Sequence, residues 1–116
     1  MWRENRNVTY EELVNEIRNI FMKADVSGIK DHLAYQFNVT GEAEGAFYAE
    51  VSEGKLSIEP YEYYDRDVVF TMTADTLLKI AKGELDAIFA YTTGKLKVDG
   101  NIDKALLLQK FTKGNK

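Results

Sequence analysis

The chain has 116 residues with 45% hydrophobic and 12% aromatic content, which is enough apolar material for one folded domain with its own core. It contains no cysteine, so disulfides and thiolate metal sites are excluded. The formal net charge of −4 argues against nucleic acid as the main partner. We therefore expect a single domain over residues 1–116.

The first predicted element is an amphipathic helix. Thr9 and Glu12 have the spacing of a capping box, in which the hydroxyl accepts from the Glu12 amide while the carboxylate reaches back. The pattern ends before Ser27, so the helix should end there. Apolar residues recur on one stripe at helical spacing: Leu13, Val14, Ile17, Ile20, Phe21 and Ala24.

From Leu33 the apolar period changes to two, which is typical of strands with one buried face. Four segments show this alternation, some over only a few residues, and turn residues separate them. They are 33–39, 47–51, 56–58 and 68–72. The pattern predicts an antiparallel meander with one solvated face.

Two helices are predicted after the fourth strand. Thr73 is placed to cap the first, and Gly83 is placed to stop it. A second, shorter helix should run from Leu85 to Tyr91, and its five consecutive apolar residues leave it almost no polar face.

The last predicted elements are a short strand at 96–98, a turn at Asp99-Gly100 and a helix capped by Asn101. On a wheel at about 100° per residue, the large apolar residues of this helix do not share one side. They are Ile102, Leu106, Leu107, Leu108 and Phe111.

This apolar excess needs a cover, because a helix packed on a small core normally shows one apolar stripe. The cover can be another helix, a second subunit or an apolar ligand. Two adjacent helices with spare apolar surface, facing the apolar side of a sheet, can enclose a ligand pocket.

No catalytic constellation is found in the sequence. His32 has no second histidine or cysteine to work with and is interpreted as a surface or hydrogen-bonded residue. Asp65 and Asp67 are interpreted as a solvated loop rather than a cation site. The aromatic cluster at 61–64 is interpreted as packing at a sheet edge, with a cavity mouth or an interface as alternatives. We expect no enzyme activity, no cofactor and no metal.

The C-terminal half resembles the sterol carrier protein 2 (SCP-2) family of lipid-transfer domains. The resemblance rests on an ordered set of motifs over about residues 67–111: Phe70-Thr71-Met72-Thr73, Asp75-Thr76-Leu77-Leu78, the Gly83 stop, Gly94-Lys95-Leu96-Lys97-Val98, Gly100-Asn101-Ile102 and Ala105-Leu106. The resemblance implies an α+β fold with a five-stranded, mostly antiparallel sheet covered on one face by helices. It also implies an apolar tunnel between sheet and helices.

Carried over by position, the resemblance implies a set of apolar residues lining that tunnel. They are Phe70, Met72, Leu77, Ala81, Leu85, Ile88, Phe89, Leu96, Val98, Ile102 and Leu106. Leu107, Leu108 and Phe111 are left open between core, ligand and partner.

The function implied by the resemblance is non-catalytic binding, with possible transfer between membranes, of a fatty acyl chain, phospholipid or sterol-like molecule. One alternative is a protein-interaction or homodimerisation module that uses the same apolar surface. Another is an accessory carrier for a polyprenyl quinone intermediate.

The charge is uneven, because residues 94–116 contain six lysines and two aspartates. The last three of these lysines, Lys110, Lys113 and Lys116, are expected to complement a helix C-terminus, with transient contact of the basic segment to an anionic membrane surface as the alternative. The polar N-terminal segment is unlike a signal peptide, and the chain does not end in a peroxisomal signal. Beside the resemblance, these features favour a bacterial, cytoplasmic protein.

Overall fold

The computed structural model describes residues 8–62 and 64–112. In chain order the elements are α1 (Tyr10–Phe21), β1 (Leu33–Thr40), β2 (Gly45–Ser52), β3 (Lys55–Glu59), β4 (Val68–Thr73), α2 (Ala74–Ala81), α3 (Ala87–Thr92), β5 (Lys97–Gly100), α4 (Ile102–Ala105) and a C-terminal 3₁₀ helix (Leu106–Phe111). The predictions made for the N-terminal segment before Val8, for Tyr63 and for Lys113 and Lys116 lie outside the described residues.

The five strands form one sheet in the order β3-β2-β1-β4-β5. Three neighbouring pairs are antiparallel and β1–β4 is parallel, with Phe37 opposite Phe70. The α+β class and the five-stranded, mostly antiparallel sheet are confirmed. The meander is correct only for β1 to β3, because β4 crosses over to the far side of β1. A parallel neighbour needs such a crossover, and apolar alternation does not show where a strand will pair.

The core lies between the inner face of the sheet and the helices. Its centre is a group of buried aromatic rings on β1, β2, β4, α1 and the 3₁₀ helix: Phe21, Tyr35, Phe37, Phe47, Phe70 and Phe111. Phe37 stacks on Phe47 with ring centroids 4.9 Å apart, and Tyr35 meets Phe70 edge to face at the same distance. These ring contacts hold β1 against β2 and β4 in the middle of the core.

The second face of β1 is more buried than the alternating pattern predicts. Ala34 and Gln36, expected in solvent, are both buried. β1 is central in the sheet, and the loop before β4 covers this part of its outer face. Asp67 Oδ2 accepts from the Ala34 amide at 2.8 Å, and Arg66 Nη1 donates to Gln36 Oε1 at 3.2 Å.

The first two helices begin where their caps predict. The Thr9 hydroxyl accepts from the Glu12 amide at 3.1 Å, and the Glu12 carboxylate accepts from the Thr9 amide at 3.0 Å. The Thr73 hydroxyl accepts from the Thr76 amide at 3.2 Å. Arg18 on α1 donates to the carbonyl oxygen of Ile58 at 2.9 Å, which ties α1 to the edge strand β3.

The third helix is shorter than predicted. It begins at Ala87 because Asp86 caps it, with the carboxylate accepting from the Phe89 amide at 2.8 Å. Leu85 belongs to the connection from α2, where its amide donates to the carbonyl of Lys79 at 3.1 Å. Within the described residues, none of the helices is long and apolar enough to cross a membrane.

The predicted turn at Asp99-Gly100 is wrong, because both residues pair with β4 as the end of β5. Gly100 is needed there for two reasons. Its φ is +121°, and an added Cβ would lie 2.3 Å from the carbonyl oxygen of Asp67. Asn101 follows directly and caps α4, its side chain accepting from the Lys104 amide at 3.0 Å.

The final helix is not one continuous α-helix, as the wheel assumed. It becomes a 3₁₀ helix at Leu106, where residues three apart lie on the same side. Leu108 and Phe111 therefore share a side, and both are buried. The remaining apolar residues are distributed over the other two sides of this tight helix.

Candidate functional site

An apolar cavity of about 230 Å³ lies between the edge of the sheet and the last helices. Its wall is formed almost wholly by carbon atoms from β4, β5, α3, α4 and the 3₁₀ helix. The lining residues are Phe70, Ala87, Ile88, Tyr91, Leu96, Val98, Ile102, Ala105, Leu106, Leu108 and Gln109. A space of this kind suits hydrocarbon and offers little to a polar group.

The floor of the cavity consists of Phe70, Leu96 and Leu108, all buried. Phe70 comes from the inner face of β4 and is fixed by the Tyr35 ring behind it. Leu96 is carried to the floor by the end of α3, where its amide donates to the carbonyl of Ala90 at 3.1 Å. Gly94, with a φ of +84°, allows the chain to fold back at this point.

The mouth of the cavity is ringed by apolar side chains that are about half exposed. Their exposed fractions are Ile88 49%, Tyr91 53%, Ile102 52% and Leu106 51%. These residues lie on the two helical segments that flank the opening, α3 and α4 with its 3₁₀ extension. Large apolar side chains exposed together in this way mark a surface that meets a ligand, a membrane or another protein.

Six of the residues predicted to line a tunnel lie together in the wall of this cavity. They are Phe70, Ile88, Leu96, Val98, Ile102 and Leu106. The structure assembles them from five separate elements and the connection before β5, although they are distributed over 37 positions of the sequence. Their role as ligand contacts stays a prediction.

The other five predicted lining residues lie elsewhere. Met72, Leu77 and Ala81 are buried in the core against the sheet, so their apolar character is used in packing. Leu85 lies in the connection before α3 and packs on the core. Phe89 is 56% exposed and does not line the cavity. Because α3 begins only at Ala87, Leu85 is not part of the helix that flanks the cavity.

Five lining residues are absent from the sequence-based set: Ala87, Tyr91, Ala105, Leu108 and Gln109. Ala87 and Tyr91 are four residues apart on α3, and Tyr91 is three residues after Ile88. Helical spacing could therefore have placed both residues on the same side of the helix as Ile88. Gln109 shares a side of the 3₁₀ helix with Leu106, three residues earlier. Gln109 is polar, so a search for apolar residues does not select it.

A polar network holds α4 against the sheet. The Tyr35 hydroxyl donates to the carbonyl oxygen of Lys104. The Lys104 ammonium donates to Asp67 Oδ1 and to the carbonyl oxygen of His32, both at 3.2 Å. Burial raises the pKa of Tyr35 far above its ordinary value, and the negative charge of Asp67 adds to the shift. The network fixes the helix that carries Ile102 and one side of the mouth.

Two of the polar residues considered as reactive candidates, His32 and Asp67, make structural contacts. His32 Nε2 lies 2.6 Å from Glu50 Oε2 at the surface. Asp67 accepts from Ala34 and Lys104 and thus fastens the loop and α4, whereas Asp65 is exposed. Among residues 8–62 and 64–112, no group of three or more metal-ligating side chains is close enough to hold a metal ion.

A larger depression of about 620 Å³ lies between α1, the end of α2 and the 3₁₀ helix. Its wall carries charges of both signs, including Glu16, Lys23, Lys82 and Glu84. Charged walls remain hydrated and repel hydrocarbon. The smaller cavity is therefore the stronger candidate for an apolar ligand.

The family model of the SCP-2 sterol transfer family matches residues 17–113. The chain is also similar to hydroxysteroid dehydrogenase-like protein 2. It is 36% identical to the mouse protein over 78 residues, which cover 66% of this chain and 16% of that protein. The match to the zebrafish (Danio rerio) protein is 30% over 101 residues, covering 86% of this chain and 24% of that protein. The chain thus spans less than a quarter of the length of these relatives.

Three solved structures illustrate the likeness of the fold. The sec-alkylsulfatase Pisa1 from Pseudomonas sp. has a TM-score of 0.69 at 19% identity, covering 84% of this chain and 16% of that one. Sterol carrier protein 2 from Aedes aegypti in complex with palmitate has a TM-score of 0.60 at 22% identity, covering 85% of this chain and 93% of that one. The ubiquinone synthesis protein UbiJ-SCP2 has a TM-score of 0.64 at 15% identity, covering 88% of both chains.

Proposed function

Because this chain belongs to the SCP-2 sterol transfer family, we propose that it binds one lipid chain in the cavity between β4, β5 and the last helices, without catalysing a reaction on it. The observation that carries the proposal is a carbon-lined cavity whose mouth exposes Ile88, Tyr91, Ile102 and Leu106. Exposed apolar area costs about 25 cal/mol per Å² relative to burial. An apolar chain that covers these side chains would recover part of that free energy.

The absence of reactive groups from the cavity wall supports a binding role. Among the described lining residues, only Tyr91 and Gln109 have polar side chains. Neither is paired there with a histidine or a carboxylate that could act as a general base. The wall can therefore surround a substrate but has no group placed to attack it.

The similar structures are consistent with this proposal. The Aedes aegypti protein is in complex with palmitate, a C16 fatty acid, and we propose a ligand of the same chemical class here. UbiJ-SCP2 is a ubiquinone synthesis protein, which favours a polyprenyl quinone intermediate as the alternative cargo. Both ligands have a long hydrocarbon portion that suits the apolar cavity.

A pair of variants tests the site directly. Leu106→Glu places a charge on the mouth of the cavity, and Phe89→Glu places one at a similarly exposed position outside it (51% and 56% exposed). We expect Leu106→Glu to weaken binding of a fluorescent fatty acid by at least about tenfold, because the carboxylate must be desolvated where the ligand enters. Phe89→Glu should bind as the wild type does.

Circular dichroism and thermal unfolding would establish that both variants are folded. If Leu106→Glu and Phe89→Glu bound the fatty acid equally well, the assignment of the cavity as the lipid site would be wrong. Loss of binding in Phe89→Glu alone would move the site to the outer side of α3.

A second candidate function is protein interaction. Ala90 is the only buried residue of α3, and Ile88, Phe89 and Tyr91 expose large apolar surfaces. A helix with so much exposed apolar area suits a partner chain or a second copy. Light scattering over a dilution series separates the candidates, since a dimer that resists dilution and carries no lipid would favour this one.

Membrane contact through the lysine-rich C-terminal segment is a further part of the proposal. Lys95, Lys97 and Lys110 are exposed, whereas Lys104 is engaged with Asp67. Exposed lysines near an anionic surface contribute about 1 kcal/mol each. Co-sedimentation with phosphatidylserine vesicles, strong at low salt and lost at high salt, would support this contact.

A further inference from the structure

We infer that two copies of this chain associate by pairing their β5 strands antiparallel, so that the two five-stranded sheets become one continuous sheet. The partner at this edge is therefore a second copy of this chain, and the contact is symmetric. The association goes beyond the proposed function and needs no bound lipid.

The opposite edge of the sheet, formed by β3, is covered. Arg18 on α1 donates to the carbonyl oxygen of Ile58 at 2.9 Å, and Ile58 is only 1% exposed. Where β2 extends beyond β3, the Tyr10 hydroxyl donates to the carbonyl oxygen of Ala46. Side chains of α1 thus occupy backbone acceptors along this edge, as expected of an edge that is protected against pairing.

The edge formed by β5 is open. The Asn101 amide donates to the carbonyl oxygen of Asp67 at 3.0 Å, which marks a bonded pair at the end of the ladder between β4 and β5. Bonded and non-bonded pairs alternate along an antiparallel ladder. Following the register back along β5, the N–H and C=O groups of Val98 and Gly100 therefore point away from β4. Within residues 8–62 and 64–112, these four groups have no hydrogen-bond partner.

Charge selects one register for two β5 strands. Val98 lines the cavity, so Lys97 and Asp99 on either side of it lie on the outer face of the sheet, where both are exposed. With Val98 opposite Val98 of the second copy, each Lys97 faces Asp99 of the second copy, which gives two ion pairs. A register centred on Asp99 would instead place the two aspartates opposite each other, which is destabilising.

A short strand that carries a lysine normally discourages edge pairing. In β5 the aspartate two residues after the lysine reverses this effect, because an antiparallel second copy presents a carboxylate to each ammonium group. Among the described residues, neither Lys97 nor Asp99 has an ion-pair partner in its own chain. Both charges are therefore available to the second copy.

The same register satisfies the open backbone groups. The Val98 N–H of each copy donates to the Val98 carbonyl of the other copy, and each Gly100 N–H meets the Leu96 carbonyl of the other copy. The Leu96 carbonyl points outward because the Lys97 N–H, in the same planar peptide group, is directed toward β4. The pairing of the two strands thus forms four backbone hydrogen bonds.

Apolar side chains beside this edge add to the contact. Ile88, Tyr91, Ile102 and Leu106 are about half exposed around the cavity that Val98 also lines. A second copy paired through β5 brings its own set of these side chains to the same side of the joined sheet. Two strands of four residues cover less than the roughly 1,200 Å² of a standard stable interface. We therefore expect a weak dimer that depends on both the strand and these apolar side chains.

A charge reversal and its compensation test the register. Sedimentation equilibrium of the whole chain at about 5–500 µM, in about 50 mM salt so that surface charges are only partly screened, should show a dimer with a dissociation constant of about 10–100 µM. Lys97→Asp and Asp99→Lys should each weaken the dimer by at least about tenfold, because each variant sets two pairs of like charges face to face. The double variant exchanges the two charges and should return to within about threefold of the wild type.

Lys55→Asp is the matched control, since it reverses an exposed charge on the covered edge strand β3 and should dimerise as the wild type does. Circular dichroism would establish that all variants are folded. A wild type that stays monomeric at about 500 µM would overturn the inference, as would a dimer that neither single reversal weakens. A dimer that the double variant fails to restore would overturn the strand register.

Amide hydrogen exchange locates the contact. The amides of Val98 and Gly100 should exchange more slowly as the protein concentration rises, whereas those of β3 should not change. Exchange at Val98 and Gly100 that is independent of concentration would place any dimer elsewhere and overturn the inference. Fatty acid binding measured on the same variants separates this inference from the proposed function, because a monomer that binds the fatty acid overturns only the dimer, and a dimer that binds none overturns only the proposed function.

Discussion

Tyr35 connects the aromatic core to the helix that closes the cavity. Its ring supports Phe70 on the floor, and its hydroxyl donates to the carbonyl of Lys104 on α4. Burial raises the pKa of this hydroxyl, and the negative charge of Asp67 adds to the shift. A single side chain thus couples core packing to the position of the cavity wall.

We predict that Tyr35→Phe lowers the free energy of unfolding at pH 7 by about 1–2 kcal/mol, because a buried hydrogen bond is lost. Burial raises the pKa of Tyr35 in the folded state, whereas the unfolded chain loses this proton near pH 10. Above pH 10 the unfolded state therefore binds fewer protons, and stability falls as pH rises.

Tyr35→Phe should lose the part of the pH dependence that the Tyr35 hydroxyl contributes. Its free energy of unfolding should therefore fall less steeply above pH 10, by up to about 1.4 kcal/mol per pH unit. Urea unfolding of wild type and variant at pH 7 and at pH 10.5–11 measures both effects. Tyr61→Phe, at an exposed position, serves as the control and should change neither. Equal alkaline slopes for Tyr35→Phe and wild type would contradict the account.

For single residues, the sequence distinguishes apolar from polar positions. It does not distinguish residues that pack in the core from residues that line the cavity. Phe70 and Met72 belong to the same face of β4, and both are apolar residues that the sequence predicts to be covered. Phe70 lies under the cavity and Met72 under α2 and the core because β5 and α4 cover only part of β4. That difference depends on tertiary placement, which apolar character does not encode.

Among the elements, the C-terminal 3₁₀ helix determines the shape of the cavity. Its three sides have different environments. Leu108 and Phe111 are buried on one side, where Leu108 also forms part of the cavity floor. Leu106 and Gln109 line the cavity from the second side, and Leu107 is partly buried on the third. The apolar excess of this segment is thus divided between the core and the cavity, which a single α-helical stripe could not do.

We predict that Leu108→Ala lowers the free energy of unfolding by about 2–4 kcal/mol, as expected for a buried leucine. Leu106→Ala should cost less than about 1 kcal/mol, because Leu106 is 51% exposed. Guanidinium unfolding at neutral pH measures both. Similar losses for the two variants would contradict the placement of Leu108 in the core and of Leu106 at the mouth of the cavity.

Helix beginnings were predictable from sequence, because caps are local. Thr9, Thr73 and Asn101 each accept from an amide three residues later, as their positions before apolar runs indicate. Asp86 has the same role at α3, but the apolar run that surrounds it conceals the boundary. The change from α to 3₁₀ geometry at Leu106 was not predictable, since it depends on packing of Leu108 and Phe111 in the core.

For the whole molecule, the parallel pairing of β4 with β1 is what creates the site. It places Phe70 beside Phe37 in the middle of the core. It also leaves β5 at the edge of the sheet, where the cavity lies between the sheet, α3 and the 3₁₀ helix. A simple meander would have put β4 beside β3. Local alternation predicted the strands, and the resemblance to the SCP-2 family supplied the five-stranded, mostly antiparallel arrangement.

The most direct measurement is native mass spectrometry of the purified chain, followed by organic extraction of what it carries. We predict one bound lipid with a long hydrocarbon chain per protein molecule, and its absence from Leu106→Glu. Wild-type protein that carries no lipid, and takes up no dodecanoate when it is supplied in excess, would contradict the central claim that this cavity binds a lipid chain.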